Sequence, residues 1–277
     1  MTTLILLPCH SVFTAAQTSN PSQTQLEPQN NGPGSNQCDW ILAPFQYEAN
    51  DHLSFVEHIH KAFELLNANS NARLVISGGF TKDGVSISES DSYLQVGRLR
   101  GLITEQNKDR IYLDEYARDS YENLLLSIAL FRKQTGNFPE TTQIVGFEFK
   151  RYRFLELHAK VLKLKHVEYF GIGPNYPDAA TLQIPEHEWQ TRRKCYFDEL
   201  HSSEKKFATD LFEKDWFGCI GSKLYQKKVS RDPLKRGNGK EFYSQDTEPI
   251  LNAFLSFEQL TFPEAKALYD DLGPFPW

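Results

Sequence analysis

Leu74-Val75-Ile76-Ser77-Gly78-Gly79 is a short aliphatic run that closes on three small residues, and after a brief loop Ser88-Glu89-Ser90-Asp91 opens a pattern of helical period. A run this short and this rich in aliphatic residues, ended by glycine, has the signature of a buried strand. Ser88, with Asp91 three residues on, is placed as the N-cap of the following helix in a capping-box-like arrangement. The unit is therefore strand, turn, helix. In an open parallel sheet the carboxyl end of such a strand is where ligands bind. Small residues at that point let backbone N–H groups come close to an anion, and glycine frees the backbone for positive φ. The stretch is neither a G-x-G-x-x-G fingerprint nor a Walker loop.

The same alternation runs outward in both directions. Further candidate strands are Leu4 to Leu7, Ile41 to Ala43, Arg73 to Ser77, Arg110 to Leu113, Gln143 to Phe147 and Val167 to Phe170. Between them, Leu53, Val56, Ile59, Phe63 and Leu66 recur at helical spacing, so His58 and His60 cannot share a face. Asp119 announces a further helix, with Glu122 reaching back to its backbone N–H and Leu124, Leu125, Ile128 and Phe131 behind it. Short apolar runs alternating with amphipathic helices predict an α/β fold: a Rossmann-like open, mostly parallel sheet with helices on both faces. That domain is placed at residues 1–200, with the Ser, Thr, Asn, Gln and Pro-rich stretch 17–37 as a flexible polar insertion. Residues 201–277 read as a C-terminal extension packed on the same domain, anchored by Trp216, Phe217 and Trp277. Within it the basic stretch Lys223 to Lys240, containing Lys227, Lys228, Arg231, Lys235 and Arg236, lacks helical spacing and aromatic interleaving and is read as a solvated loop.

Composition narrows the function classes. The chain has 277 residues, 40% of them hydrophobic, enough for one large core. A formal net charge of −6 argues against a nucleic-acid or acidic-lipid partner. Cys9, Cys38, Cys195 and Cys219 form no Cys-x-x-Cys pair, which points away from a zinc knuckle or redox motif and toward a reducing compartment. Leu4 to Leu7 is not preceded by a basic residue and is cut by Pro8, so it reads as a strand rather than a signal segment. No run approaches the roughly 18 apolar residues of a membrane span. The expectation is a soluble cytoplasmic protein with no nucleic-acid partner.

If the strands are parallel, their carboxyl ends gather polar groups on one rim. Cys9, His10 and Ser11 follow the first strand; Asp114, Glu115, Arg118 and Asp119 follow Leu113; Glu148, Lys150, Arg151 and Arg153 follow Phe147. Cations and backbone N–H groups hold an anion, while carboxylates take hydroxyls or a metal. Cys9 and His10 are adjacent on an extended segment and point oppositely, so a nucleophile–base dyad is not expected of them, although His10 alone is a candidate general base. Glu89, Glu115 and Asp119 are candidate acid–base groups or Mg²⁺ ligands. Glu122 is accounted for by capping, and Glu89 also suits a helix N-terminus.

Ile76-Ser77-Gly78-Gly79, Ser88-Glu89-Ser90, Asp114 through Asn123 and Val145 through Arg153, in that order and spacing, resemble the domain-of-unknown-function 218 family of YdcF- and SanA-like proteins. Leu7-Pro8-Cys9-His10-Ser11 and the closing Leu272-Gly273-Pro274-Phe275-Pro276-Trp277 resemble its fungal branch. The resemblance implies a Rossmann-like fold with a pocket above the Ser-Gly-Gly loop and, from a bacterial member, binding of S-adenosylmethionine. Ser77, Gly78, Gly79, Glu89, Glu115, Ser120, Glu122, Asn123 and Arg153 match the family pattern. Lys150 stands where bacterial members usually place a histidine, and Gly146-Phe147 where they usually have Thr-Ser, which puts a mechanism needing that histidine in doubt. The leading expectation is a nucleotide-like or S-adenosylmethionine-like anionic ligand, cradled by Ser77, Gly78 and Gly79, neutralised by Lys150 and Arg153, and flanked by Ser120 and Asn123. Two other classes stay open: a metal-assisted hydrolase or transferase on a phosphorylated substrate, and a non-enzymatic protein that works through its C-terminal extension.

Overall fold

The structure is a computed structural model that describes residues 2–14, 32–243 and 248–277; most of the polar stretch 17–37 lies outside the described residues. Five strands, β1 (Thr3–Pro8), β2 (Ala72–Ser77), β3 (Ile111–Asp114), β4 (Thr141–Gly146) and β5 (Val167–Gly171), form one all-parallel sheet in the order β3-β2-β1-β4-β5. The fold is an open, Rossmann-like α/β sheet. β1 is central and Leu4 to Leu7 are fully buried, because a parallel strand covered on both faces needs an unbroken apolar run.

Successive side chains of a strand point to opposite faces, and the core divides accordingly. Ile5, Leu7, Leu74, Ile76 and Val145 pack with α1 (Asp51–Ala68) and α2 (Glu89–Leu99) on one face. Leu4, Leu6, Val75 and Ile144 pack with α3 (Ser120–Thr135) on the other. The caps fall where the residue types place them: Ser88 Oγ accepts from the Asp91 N–H at 3.0 Å, and Asp119 Oδ1 from the Glu122 N–H at 2.9 Å. Gly136, at φ 71°, ends α3 in the left-handed conformation that favours glycine.

Three expectations are corrected. Ile41 to Ala43 is not a strand: Trp40 makes an isolated antiparallel bridge to Phe13, and Pro44, which has no N–H for a ladder, begins a 3-10 turn at once. Leu53, at the N-terminal margin of the α1 stripe, is exposed, while Val56, Ile59, Phe63 and Leu66 are buried. The basic stretch is not a loop throughout. Lys223–Ser230 is a helix, capped by Ser222 Oγ accepting from the Tyr225 N–H at 3.0 Å, and Leu224 and Lys228, four apart, form its buried face.

Beyond β5 the chain is helical: α4 (Glu186–Glu204), α5 (Lys223–Ser230), α6 (Pro249–Ser256) and α7 (Phe262–Asp270). Phe217, Leu251, Phe254, Leu255, Phe257 and Trp277 join the α3-side core, so the later part of the chain completes that face of the sheet. Trp277 Nε1 donates to the Leu162 carbonyl at 2.5 Å and its ring meets Phe138 edge-on at 5.3 Å. Trp216 is half-buried and edge-on to Tyr269 at 5.6 Å. Deleting the residues after Leu272 removes Phe275 and Trp277 from this core and is expected to cost about 3–5 kcal/mol, read as a lowered urea midpoint; an unchanged midpoint would show that these rings carry no stability.

Candidate functional site

The chain runs outward from β1 through β2 to β3, then returns to the other side of β1 for β4 and β5. The loops after β1 and β4 therefore leave the sheet in opposite directions, opening the crevice in which doubly wound sheets bind ligands. A cavity of about 670 Å³ lies there. Pro8, Cys9 and His10 enter it from β1, and Phe147, Phe149 and Lys150 from β4. The N-termini of two helices reach it with Asp51 and with Asp119, Ser120 and Asn123. Arg153, Tyr196, Glu204, Lys227 and Arg231 come from the later part of the chain.

The chemistry concentrates around Lys150. Its Nζ donates to His10 Nδ1 at 3.1 Å and lies 5.4 and 5.5 Å from the ring centres of Phe147 and Phe149. Burial, then the nearby Arg153 guanidinium, lowers its pKa to about 7. Burial, reinforced by Lys150 and His58, pushes the His10 imidazole well below its ordinary range, so it is neutral and accepts at Nδ1; its Nε2 is buried without a partner. His58 is fully buried, donates from Nε2 to the Ile172 carbonyl at 3.0 Å, and stands 5.7 Å from the His10 ring. Asp51 is 4% exposed with Oδ1 unpartnered, and burial raises its carboxyl to about 7.

Opposite stand more cations. Arg153 faces Glu204 at 3.0 Å, and Arg231 stands 3.8 Å from Glu89, which also accepts from the Thr81 hydroxyl. Lys227 is lowered to about 8 by burial and then by Arg231 and Arg153. Titratable groups pushed from their ordinary ranges by burial and by one another, inside a cleft, make this the candidate site.

The Ser-Gly-Gly loop does not line this cavity. The Gly78 N–H donates to the Asp114 carbonyl at 3.0 Å and the Gly79 N–H to the Ala117 carbonyl at 2.9 Å, so both amides are engaged within the fold. Neither glycine has positive φ. They are needed for close approach: a Cβ on Gly78 would sit 2.8 Å from Cys9 Cβ, and one on Gly79 2.9 Å from the Ala117 oxygen. Ser77 is fully buried and donates to Asp114 Oδ2 at 2.6 Å, with Asn123 Oδ1 at 3.0 Å. The loop thus positions α2 and α3 rather than cradling an anion. His10, Glu89, Asp119, Ser120, Asn123, Lys150 and Arg153 are brought to the cavity, whereas Glu115 is off its wall. Ser120 Oγ is 2.8 Å from His158 Nε2. Cys9 is no partner for His10: its Sγ turns to the Leu7 carbonyl at 3.9 Å, and burial raises the thiol pKa.

Two further roles are corrected. Glu89, Glu115 and Asp119 are not gathered as metal ligands, and among the described residues no group of three His, Cys, Asp or Glu side chains is placed to hold a metal ion. Glu122 reaches back to the Arg118 N–H at 2.8 Å, not to that of Asp119, and lies in a buried ion network: Arg118 at 2.6 Å and Lys228 at 3.1 Å.

A protein of Saccharomyces cerevisiae described as the uncharacterized protein YOR238W is 32% identical over 272 residues, covering 84% of each chain. The chain belongs to the family of that yeast protein. No protein-family profile and no solved structure matches. No helix among the described residues is long and apolar enough to cross a membrane.

Asp51, Tyr196 and Glu204 drew no notice in the sequence, and Lys227 and Arg231, read there as part of a solvated loop, line the cavity. One signal was present for the basic pair: Lys227 and Arg231 are four apart behind a serine cap, which on a helix puts them on one face. Asp51 yields a pH prediction. Its folded pKa is raised, so between about 4 and 7 the native state holds a proton that the unfolded chain has lost, and stability falls as pH climbs through that window. Asp51→Asn removes this slope. Urea titrations at pH 4.5 and 7.5 are expected to show the variant gaining up to about 4 kcal/mol on the wild type across the interval; parallel pH dependences would mean that Asp51 ionises as it does in the unfolded chain.

Proposed function

We propose that the protein binds a small anionic, nucleotide-like molecule in the crevice between the ends of β1 and β4. The observation that carries this reading is the convergence of Lys150, Arg153, Lys227 and Arg231 on one cavity wall system, where burial and mutual repulsion depress both lysines. An anion between them relieves the repulsion and supplies the charge-assisted hydrogen bonds these donors favour. The volume suits a ligand of nucleotide size. Asp51 Oδ1 and Asp119 Oδ2, both buried without a hydrogen-bond partner, are acceptors for ligand hydroxyl or amino groups, and Phe147, Phe149 and Tyr196 offer faces to a flat ring. The anionic part is assigned to these cations instead of the Ser-Gly-Gly loop. S-adenosylmethionine, implied by the resemblance to the 218 family, has one carboxylate for these cations but also a sulfonium and an ammonium, so it suits them less well than a nucleotide does. A partner surface built on the C-terminal aromatics is less supported, because Phe217 and Trp277 are buried in the core.

Thermal unfolding against a panel of nucleotides, S-adenosylmethionine and sugar phosphates tests the reading. A ligand at 100 times its Kd adds about 2.7 kcal/mol. At least one member is expected to raise Tm for the wild type and to lose most of that effect with Arg231→Met. The stabilisation should weaken from pH 6.5 to 8.5, as Lys150 and Lys227, at about 7 and about 8, give up the charge an anion needs. A panel with no stabilising member would refute it.

A further inference from the structure

We propose that Lys150 is a nucleophilic amine that condenses with the carbonyl of a small anionic aldehyde or ketone held by Arg153 and Arg231. The inference rests on the anion-binding reading above and adds a reaction to it. Two features of the geometry carry it, and the charges around them agree. The Lys150 amine sits in the switch-point cavity beside the Phe147 and Phe149 rings, and among the described residues no carboxylate lies within 4 Å of its Nζ, so nothing ties it up as a salt-bridged ammonium. Its hydrogen bond goes to the Nδ1 of His10, a neutral acceptor. Of its charged neighbours Arg153 acts most strongly and disfavours the ammonium, Glu204 next and favours it, then Arg231 against and Asp51 for it, and His58 behind His10 is neutral at neutral pH. A lysine desolvated among apolar groups and next to other cations is the form of the residue that acts as a nucleophile near neutral pH.

The step balances without an outside oxidant or reductant. With one N–H donated to His10 Nδ1, the amine lone pair is free to attack. The C–N bond forms as the carbonyl π pair moves to oxygen, and one N–H proton is relayed through His10 Nδ1 to that oxygen to give a carbinolamine. The hydroxyl then takes a second proton from the Asp51 carboxyl, the nitrogen lone pair expels it as water, and the remaining N–H proton of the iminium passes to the Asp51 carboxylate, leaving an imine. An amine and a carbonyl have become an imine and one water. The guanidinium groups hold the substrate's carboxylate or phosphate, and Asp51, whose carboxyl is raised to about 7, stands in the same cavity as a proton donor.

The probes are glyoxylate, an anionic aldehyde, and acetaldehyde, a neutral one, each applied to the wild-type protein with cyanoborohydride to reduce any imine to a stable secondary amine. Peptide mass analysis then locates the modified lysines. Glyoxylate is expected to modify Lys150 at least ~10-fold faster than the exposed lysines, since each unit of lowered pKa raises the free-amine fraction about tenfold. The rate should rise through pH 7, inorganic phosphate should protect Lys150, and His10→Asn should slow its labelling while leaving surface lysines unchanged. If acetaldehyde selects Lys150 but glyoxylate is no faster and phosphate gives no protection, the anionic substrate class is overturned and the reactive amine stands. If phosphate raises Tm but neither aldehyde reaches Lys150 ahead of surface lysines, the nucleophile is overturned and the binding reading survives.

Discussion

Lys228 carries its ammonium into the protein interior, 2% exposed, where Glu122 Oε1 at 3.1 Å and the Phe217 carbonyl at 2.8 Å hold it. The arrangement of the cavity depends on that contact. Arg118 closes the network, bonded to both Glu122 and Glu258. Burial and the repulsion of Glu122 raise the Glu258 carboxyl, as expected where Asp119, Glu122 and Glu258 outnumber the two buried cations. Although burial works against it, Lys228 keeps Glu122 ionised. Removing one member of such a network strands its partners in low dielectric, which costs about 3–5 kcal/mol. The network joins the N-terminus of α3 to α5 and to the segment after α6. Because Lys227 and Arg231 ride on the same stretch as Lys228, fixing one fixes the others over the end of β4.

From this follows a division of labour between two sets of charges. The network set is inward and holds three carboxylates against two cations. In the cavity set the two arginines, Arg153 and Arg231, face Glu204 and Glu89, whereas Lys150 and Lys227 are depressed by burial and then by those arginines. Desolvated cations held this way stabilise the protein little, which is the basis of the proposed anion site. The sheet supplies the location, since β1 and β4 part at the switch point, and the helical C-terminal part supplies half of the wall. Fold and site cannot be separated at a boundary near residue 200, because α4 and α5 both face the cavity.

The sheet was legible in the sequence for a plain reason: buried parallel strands are unbroken aliphatic runs, and Leu4 to Leu7 or Leu74 to Ile76 have no other home. The caps at Ser88 and Asp119 were equally local. Ile41 to Ala43 misled because three apolar residues say nothing about pairing, and Pro44 follows at once. His10, Lys150 and Arg153 were found because strand ends converge in any parallel sheet. The role of the two glycines was missed because steric need and ligand approach leave the same residue in a sequence; only the partners of their N–H groups distinguish them. Lys228 looked solvated because its acidic partners, Glu122 and Glu258, lie far from it along the chain, and Asp51 drew no notice because its burial depends on walls contributed by other segments.

The proposed anion site beside Lys150 is open to crystallography. Crystals soaked in tungstate, whose heavy atom marks a bound oxyanion directly by anomalous scattering, give the most direct test. One strong peak is expected within hydrogen-bonding reach of Arg153 or Arg231 and of Lys150, lost when the soak is repeated with Arg231→Met. A peak over the amides of Gly78 and Gly79, or none in the cavity, would contradict it.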